Sequence, residues 1–471
     1  MLDTPFNLVI NGQPVGSAGR IDVIDPATGR PFAHCPLATI EQLDDAVAAA
    51  RAAFPGWAAT PIDARADALL RLGALIEENQ ADLAALLSRE QGKPVKSAQG
   101  EIGGAVYWIR ATAGLRPKVE RIENPEGPVI EIHRKPLGVV GSITPWNFPV
   151  MIAIWHVIPA LLAGNSVVLK PSPNTPLTTL RIGELASAVL PAGVFNVVTG
   201  DVEIGSGIAR HPGIDKIVFT GSTGTGRAIM RDGAANLKRL TLELGGNDAA
   251  IVLSDADVDA IVPRLFSASF GNSGQICAAI KRLYVHESLY DTVAARLAEL
   301  AAAAVVGPGD GADSQFGPLQ NRRQYDYVRA LAEDAKANGG RFLSGGEAPD
   351  GDGYFFPLSV LVDVSDGMRI VDEEQFGPIL PVIRFSDPED ALARANRGEN
   401  GLGGSVWSSD PGAAAALAMR LESGSAWVND HSTISPLVPF GGAKQSGIGV
   451  EFGQHGLDEY TQIQTLRLPR G

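Results

Sequence analysis

KIVFTGSTGTG, residues 216–226, decides the fold class. KIVFT reads as a strand, a Gly-rich turn follows at once, and a helix opens from that turn. Glycines let a backbone approach a ligand closely, and the orphan N–H groups of a helix start favour a phosphate. Ser222 suits the cap of that helix. The spacing is not G-x-G-x-x-G, so a plain tight turn and a phosphate cradle both remain open on this stretch alone. Comparable apolar runs lie upstream (GVVGSIT, NSVVLKP and VFNVVTG), separated by helical stretches near 177–189 and 201–210. Strands alternating with helices predict βαβ units and a mostly parallel sheet covered on both faces. The predicted class is α/β.

A second α/β series starts near Ala249 with AAIVLSDADVD. It continues through a helix at 258–270, the strand KRLYVH, and helices near 288–305 and 320–338. Upstream, LVINGQPV places Asn11-Gly12 between apolar runs, a strong hairpin signal. Leu and Ala recur at helical spacing from Glu41 to Leu115, which reads as one long helical tract. Two extended segments stand apart, ERIENPEGPVIEIHRKPLG (120–138) and the C-terminal YTQIQTLRL. The C-terminal strand is expected to lack an intrachain neighbour, so that pairing with another subunit satisfies its backbone groups.

The 471 residues are 45% hydrophobic and 20% charged, the composition of an ordinary globular chain. A formal charge of −14 argues against non-specific binding to nucleic acid or anionic membranes. The longest apolar stretch, Val150 to Ala163, holds His156 and Pro159 and falls short of the ~20 residues that span a bilayer. Two cysteines build neither a disulfide framework nor a cysteine-based zinc site, and a cytoplasmic setting is expected.

One of those cysteines, Cys277, follows the small and polar run FGNSGQ, where either a reactive thiol or a buried small residue fits. Glu243 stands in an apolar stretch before a Gly-Gly turn; burial raises a carboxyl pKa and suits a general base, and a structural carboxylate fits equally well. Asn147, in ITPWNFP, is either a turn residue or a donor to an oxyanion. Lys170 closes the strand NSVVLK, where open α/β sheets bind ligands and where surface lysines are also common. Thiol, carboxylate, amide and nucleotide turn together suit one reaction class. A thiolate adds to an aldehyde, hydride leaves to a nicotinamide, and water activated by the carboxylate hydrolyses the thioester. That chemistry requires no metal.

Seven segments carry a resemblance to the aldehyde dehydrogenase superfamily over essentially the full length. They are TPWNFP (144–149), LKPSPNTP (169–176), FTGSTGTG (219–226), LELGGND (242–248), GQICAA (274–279), EEQFGPILP (373–381) and PFGGAKQSG (439–447). The resemblance implies an NAD(P)-dependent, hydrolytic enzyme with Cys277 as nucleophile, Glu243 as general base and Asn147 as oxyanion donor. It implies cofactor contacts from Thr144, Pro145, Trp146, Lys170, Ser172, Gly221, Ser222, Leu244, Glu374 and Phe376. It places Trp146, Gln275, Ile276, His431 and Phe440 along a substrate channel, and implies no metal. It also implies a Rossmann-like nucleotide-binding domain (1–114 and 137–245), a second α/β catalytic domain (246–448) and a small β oligomerisation element (115–136 and 449–471). The expected partners are a small-molecule aldehyde and the chain itself, as homodimer or homotetramer.

Two departures from the family pattern stand out. NAD-preferring members often carry Glu three residues after the lysine, where this chain has Pro173; that leans to NAD with dual NADP use. After the nucleophile, Ala278-Ala279-Ile280-Lys281-Arg282 replaces the frequent small-Gly-Ser/Thr-Arg pattern. The loop WVNDHSTISPLVPFGG (427–442) offers no arginine clamp for a dicarboxylic semialdehyde, so a neutral aliphatic or aromatic aldehyde is expected. A semialdehyde dehydrogenase, a CoA-acylating enzyme and a catalytically silent binding protein of the same fold are the alternatives; Glu243 argues against the second.

Overall fold

Two parallel-stranded sheets organise the chain, seen in a computed structural model that describes residues 4–123 and 127–469. The parts of the domain ranges expected above that fall at 1–3, 124–126 and 470–471 lie outside the described residues.

The first sheet has a parallel centre ordered Phe195–Val197, Ser166–Lys170, Val139–Ile143, Lys216–Thr220, Arg239–Glu243. The chain runs outward from Val139–Ile143 in one direction, then returns to its other side at Lys216–Thr220. The strand order reverses there, and in open α/β sheets the crevice outside the carboxyl ends at such a point takes the ligand. The central strands SVVLK, VVGSI and KIVFT are buried along their whole length, as a sheet covered on both faces requires. The Asn11-Gly12 hairpin forms as expected and extends this sheet antiparallel through Leu8–Ile10 and Gln13–Val15.

The strand ending at Glu243 passes through only Leu244–Asn247 before the chain enters the second sheet at Asp248–Val252. That sheet runs Arg341–Ser344, Ser359–Val362, Ile379–Phe385, Ile280–His286, Asp248–Val252, Gly403–Trp407, Ser425–Val428, parallel except at its first strand. The short link sets the carboxyl end of one sheet against the amino end of the other. A cleft between those ends therefore draws its loops from both sheets.

The expected single helical tract is four helices: Ile40–Ala59, Ile62–Glu78, Gln80–Gln91 and Val95–Ala113. Pro61 ends the first run, because proline forces its predecessor out of the helical region. Gly92, at φ +94°, ends the third in the left-handed conformation glycine favours. The C-terminal strand, Thr461–Leu468, corrects a second expectation. It has an intrachain neighbour, Val129–Pro136, paired antiparallel from Thr461 opposite Pro136 to Leu468 opposite Val129. With Glu120–Ile122 these make a three-stranded sheet whose outer edge is the C-terminal strand.

Candidate active site

Cys277 follows helix Val258–Phe270 and precedes strand Ile280–His286. Between helix and thiol the chain reverses through three left-handed residues, Asn272, Ser273 and Gly274 (φ 49°, 56° and 73°). Gly274 has no space for a Cβ, which would run into the backbone carbonyl of Gly377. Gln275, 1% exposed, braces the turn. Its Nε2 donates to Asn272 O (2.9 Å) and its Oε1 accepts from Gln320 N (2.9 Å). Both ends of its amide are thus hydrogen-bonded to backbone groups.

Asn147 arrives from the other sheet, on the loop after Val139–Ile143, and its Nδ2 donates to Gln275 O at 2.9 Å. That bond joins the amide to the segment carrying the thiol. The Asn147 carbonyl accepts from Asn272 Nδ2 (3.1 Å) and from Lys93 Nζ (2.9 Å). Lys93 is paired with Glu101 at 2.5 Å deep in the core, and Glu101 Oε1 accepts from Val150 N and Met151 N (3.0 and 3.1 Å) at the start of the next helix. A buried ion pair therefore fixes the Asn147 turn.

Glu243 ends its strand fully buried, with neither carboxylate oxygen hydrogen-bonded. Burial and the nearby Glu451 raise its pKa well above the usual carboxylate range. After it, Gly246 lies so close to Cys277 that a Cβ there would sit 2.7 Å from the Cys277 carbonyl. This close approach is what the Gly-Gly pair permits, and it brings the Glu243 strand to the thiol's peptide. Burial pushes the Cys277 thiol up to about 12; Lys281 opposes the rise, and Glu374, Asp248 and Glu243 add to it.

At the Gly-rich turn, Ser222 caps helix Thr223–Gly233, its side chain accepting from Thr225 N at 3.4 Å. Gly221 N donates to Glu243 O (3.0 Å), so turn and carboxylate share one strand pair. Leu244 packs beside Gly226 under that helix. Thr144 is buried, its N bonded to Lys170 O (3.1 Å), with Pro145 half-buried next to it. Lys170 is 5% exposed and no solvated surface lysine; its Nζ donates to Pro171 O (3.1 Å), and burial lowers it to about 8. Among the described residues it has no ion-pair partner. Ser172, also buried, accepts from Asn174 N (3.3 Å). Across the crevice, Trp146 meets Phe376 edge-on, ring centroids 5.3 Å apart, and Glu374 Oε1 accepts from Gly246 N (3.3 Å). A buried cation with no ion-pair partner among the described residues and a capped helix start, both at the carboxyl ends of strands of the first sheet, fit the hydroxyls and phosphates of a dinucleotide. Among the described residues no group of three His, Cys, Asp or Glu side chains is placed to hold a metal.

The remaining channel candidates divide. Phe440 is buried, joined to Glu451 by two backbone bonds (2.9 and 2.7 Å), and stacks on Phe452 at 6.0 Å. His431 is buried too, its Nδ1 on Ser405 Oγ (2.9 Å) and its Nε2 3.6 Å from Asp248. Ile276 lies next to the thiol, its carbonyl taken by Lys281. Phe440, Phe452, Trp108 and Ala278 belong to one apolar cluster, against which Cys277 and Trp155 pack. Trp155 meets Phe452 at 4.8 Å and Trp108 at 5.5 Å. Sequence reasoning did not single out Lys281, Glu451, His156, or the Lys93–Glu101 pair. A buried lysine where the family pattern has a small hydroxyl residue, and a histidine in the most apolar helix, were the available signals.

Three comparisons bear on this geometry. The profile of the aldehyde dehydrogenase family matches residues 15–466. An aldehyde dehydrogenase from a Fusarium species is 39% identical over 467 residues, 99% of each chain. Phenylacetaldehyde dehydrogenase of Pseudomonas fluorescens is 38% identical over 482 residues, 99% of this chain and 96% of that one. Among solved structures, the NAD+ complex of aldehyde dehydrogenase from Bacillus cereus superposes with a TM-score of 0.97 at 36% identity, covering 99% of this chain and 97% of that one.

Proposed function

The chain belongs to the aldehyde dehydrogenase family, an oxidoreductase using a nicotinamide dinucleotide, and from that premise we propose the residues that carry its chemistry. Cys277 is the nucleophile, Glu243 the general base and Asn147 the oxyanion donor. The observation that carries this reading is the Asn147 Nδ2–Gln275 O bond of 2.9 Å, which ties the amide of one sheet to the thiol segment of the other.

Cys277 gives its proton to solvent water, and the Sγ thiolate attacks the aldehyde carbon. Asn147 Nδ2 turns from Gln275 O to the alkoxide that forms, and backbone N–H groups of the Cys277 turn join it. When bound, the nicotinamide supplies a hydride acceptor. The acyl group then rests on Sγ as a thioester. Glu243 takes a proton from water, the water oxygen attacks the thioester carbon, the C–S bond breaks, and the acid leaves. Burial favours this role: a carboxyl whose pKa is raised is a stronger base once ionised.

Lys170 and Ser222 hold the adenosine ribose and pyrophosphate, and Glu374 and Phe376 hold the nicotinamide ribose and ring. Thr144, Pro145, Trp146, Ser172, Gly221 and Leu244 complete that crevice. The nucleotide is NAD, with NADP also accepted, because Pro173 offers no carboxylate to repel a 2′-phosphate. The substrate is a neutral aldehyde with an apolar or aryl body. Aromatic rings pack around the thiol's cluster, and Arg264, which reaches the loop 427–442, is taken by Asp430 at 3.5 Å. The chain self-associates as a homodimer or homotetramer through the C-terminal edge strand, where Ile463 and Leu466 are exposed. The first sheet is the nucleotide-binding domain and the second the catalytic domain. Among the described residues no helix is long and apolar enough to cross a membrane, and two free cysteines suit the cytoplasm.

An aldehyde panel run separately with NAD and NADP tests the assignment. Aryl and aliphatic aldehydes are expected to yield acid and reduced nucleotide, and added CoA to yield no thioester product. No reduced nucleotide with any aldehyde would overturn it.

A further inference from the structure

Lys281 places a cation where the chemistry above uses none. Its side chain is 2% exposed. The ammonium has three protons and three acceptors: Ile276 O at 2.6 Å, Cys277 O at 3.1 Å and Glu374 Oε1 at 3.2 Å. Two of these acceptors belong to the peptides that flank and carry the thiol. The third is the carboxylate assigned to the nicotinamide ribose. Nζ also lies 5.5 Å from the centroid of Phe376, the ring on the same loop as Glu374.

We propose that Lys281 is a positioning residue that braces the Cys277 peptide and the Glu374 carboxylate with a single buried cation. The proposal rests on the reading of Cys277 as nucleophile and of Glu374 as a nucleotide contact. Its consequence is a coupling between the two halves of the site, because a change at either end of the ammonium is felt at the other.

The charges facing the thiol set the sign of that coupling. They are Lys281 on Ile280–His286, Glu374 from the loop before Ile379–Phe385, Asp248 at the start of its strand and Glu243 at the end of its own. Beyond them stand Glu451, beside Glu243, and His431, 3.6 Å from Asp248. Lys281 favours the thiolate, while the three carboxylates oppose it. Removing Lys281 therefore makes the thiol harder to ionise and also loosens Glu374. Removing the Glu374 charge makes the thiol easier to ionise, while it also weakens the nucleotide.

The test is the pH profile of Cys277 alkylation by iodoacetamide, located by peptide mass mapping, together with KM for the nucleotide and kcat. In Lys281→Met the profile moves up by about one pH unit, the lower end of the shift expected for a nearby opposite charge. KM for the nucleotide rises on the order of tenfold in the same variant. In Glu374→Gln the profile moves down while KM again rises. A purely packing role for Lys281 would not give opposite signs. Should Lys281→Met not fold, Glu374→Gln alone still decides, since an unmoved or raised profile there overturns the proposal. So does a folded Lys281→Met with profile and KM unchanged. Failure of the nucleophile reading shows separately, as full alkylation of Cys277 with turnover intact.

Discussion

Replacing Lys93 by methionine removes the cation that fixes the Asn147 turn, and the structure sets the size of the effect. Lys93 Nζ is bonded to Glu101 at 2.5 Å and to Asn147 O at 2.9 Å, with the ring of Phe148 4.0 Å beneath it. Taking one member from a buried pair leaves an uncompensated charge and costs about 3–5 kcal/mol. A chain of 471 residues at about 2.1 cal/mol/K per residue unfolds with an entropy near 1 kcal/mol/K, so Tm falls by about 3–5 °C. Asn147 O keeps only the donor from Asn272 Nδ2, and if about 1.4 kcal/mol of that loss is felt in the transition state, kcat falls about tenfold. The double variant Lys93→Met/Glu101→Gln removes both charges yet leaves acceptors for Val150 N and Met151 N. It should recover most of the Tm loss and none of the kcat loss. Scanning calorimetry and steady-state kinetics read both quantities. A single variant with parental Tm and parental kcat would refute the reasoning.

Asn147→Ala should lower kcat on the order of 10²-fold with the nucleotide KM unchanged, as stopped-flow reduction of the nucleotide will show. Burial lowers Lys170 to about 8, so its charge is lost as pH rises through that value. KM for the nucleotide should climb above pH 8, and that climb should vanish in Lys170→Met. Glu243 holds its proton in the folded chain to higher pH than when unfolded, so it costs stability as pH rises from the usual carboxylate range. Glu243→Gln should therefore gain Tm over the parent as pH increases, in a thermal series across neutral pH. Gly274→Ala, at φ +73° against the Gly377 carbonyl, should displace the Cys277 turn and abolish turnover in a steady-state assay.

The parallel strands were legible because burial on both faces leaves continuous apolar runs such as KIVFT and SVVLK. Helix ends inside 41–115 were less so, although Pro61, Gly92 and Pro94 mark them, since Leu and Ala spacing runs through the breaks. The partner of the C-terminal strand was not legible from local pattern, since Thr461 pairs with the distant Pro136; only the family resemblance set 115–136 beside the C-terminal segment. Cys277 and Glu243 stood out by residue type beside glycine turns, and Asn147 in a proline-flanked turn. Lys281, Glu451 and Lys93 did not, because a buried charge declares itself only through the partner that folding supplies. Lys170 illustrates the same limit, reading as a surface charge until its burial is seen.

The central claim is that the acyl group passes through Cys277 and is released by Glu243. Glu243→Gln enzyme mixed with aldehyde and NAD, acid-quenched and mapped by mass spectrometry, tests it directly. The account predicts an acyl thioester on Cys277, approaching one per chain, with a matching burst of reduced nucleotide. A burst with no adduct on Cys277, or an adduct on the chain's other cysteine, the buried Cys35, would contradict it.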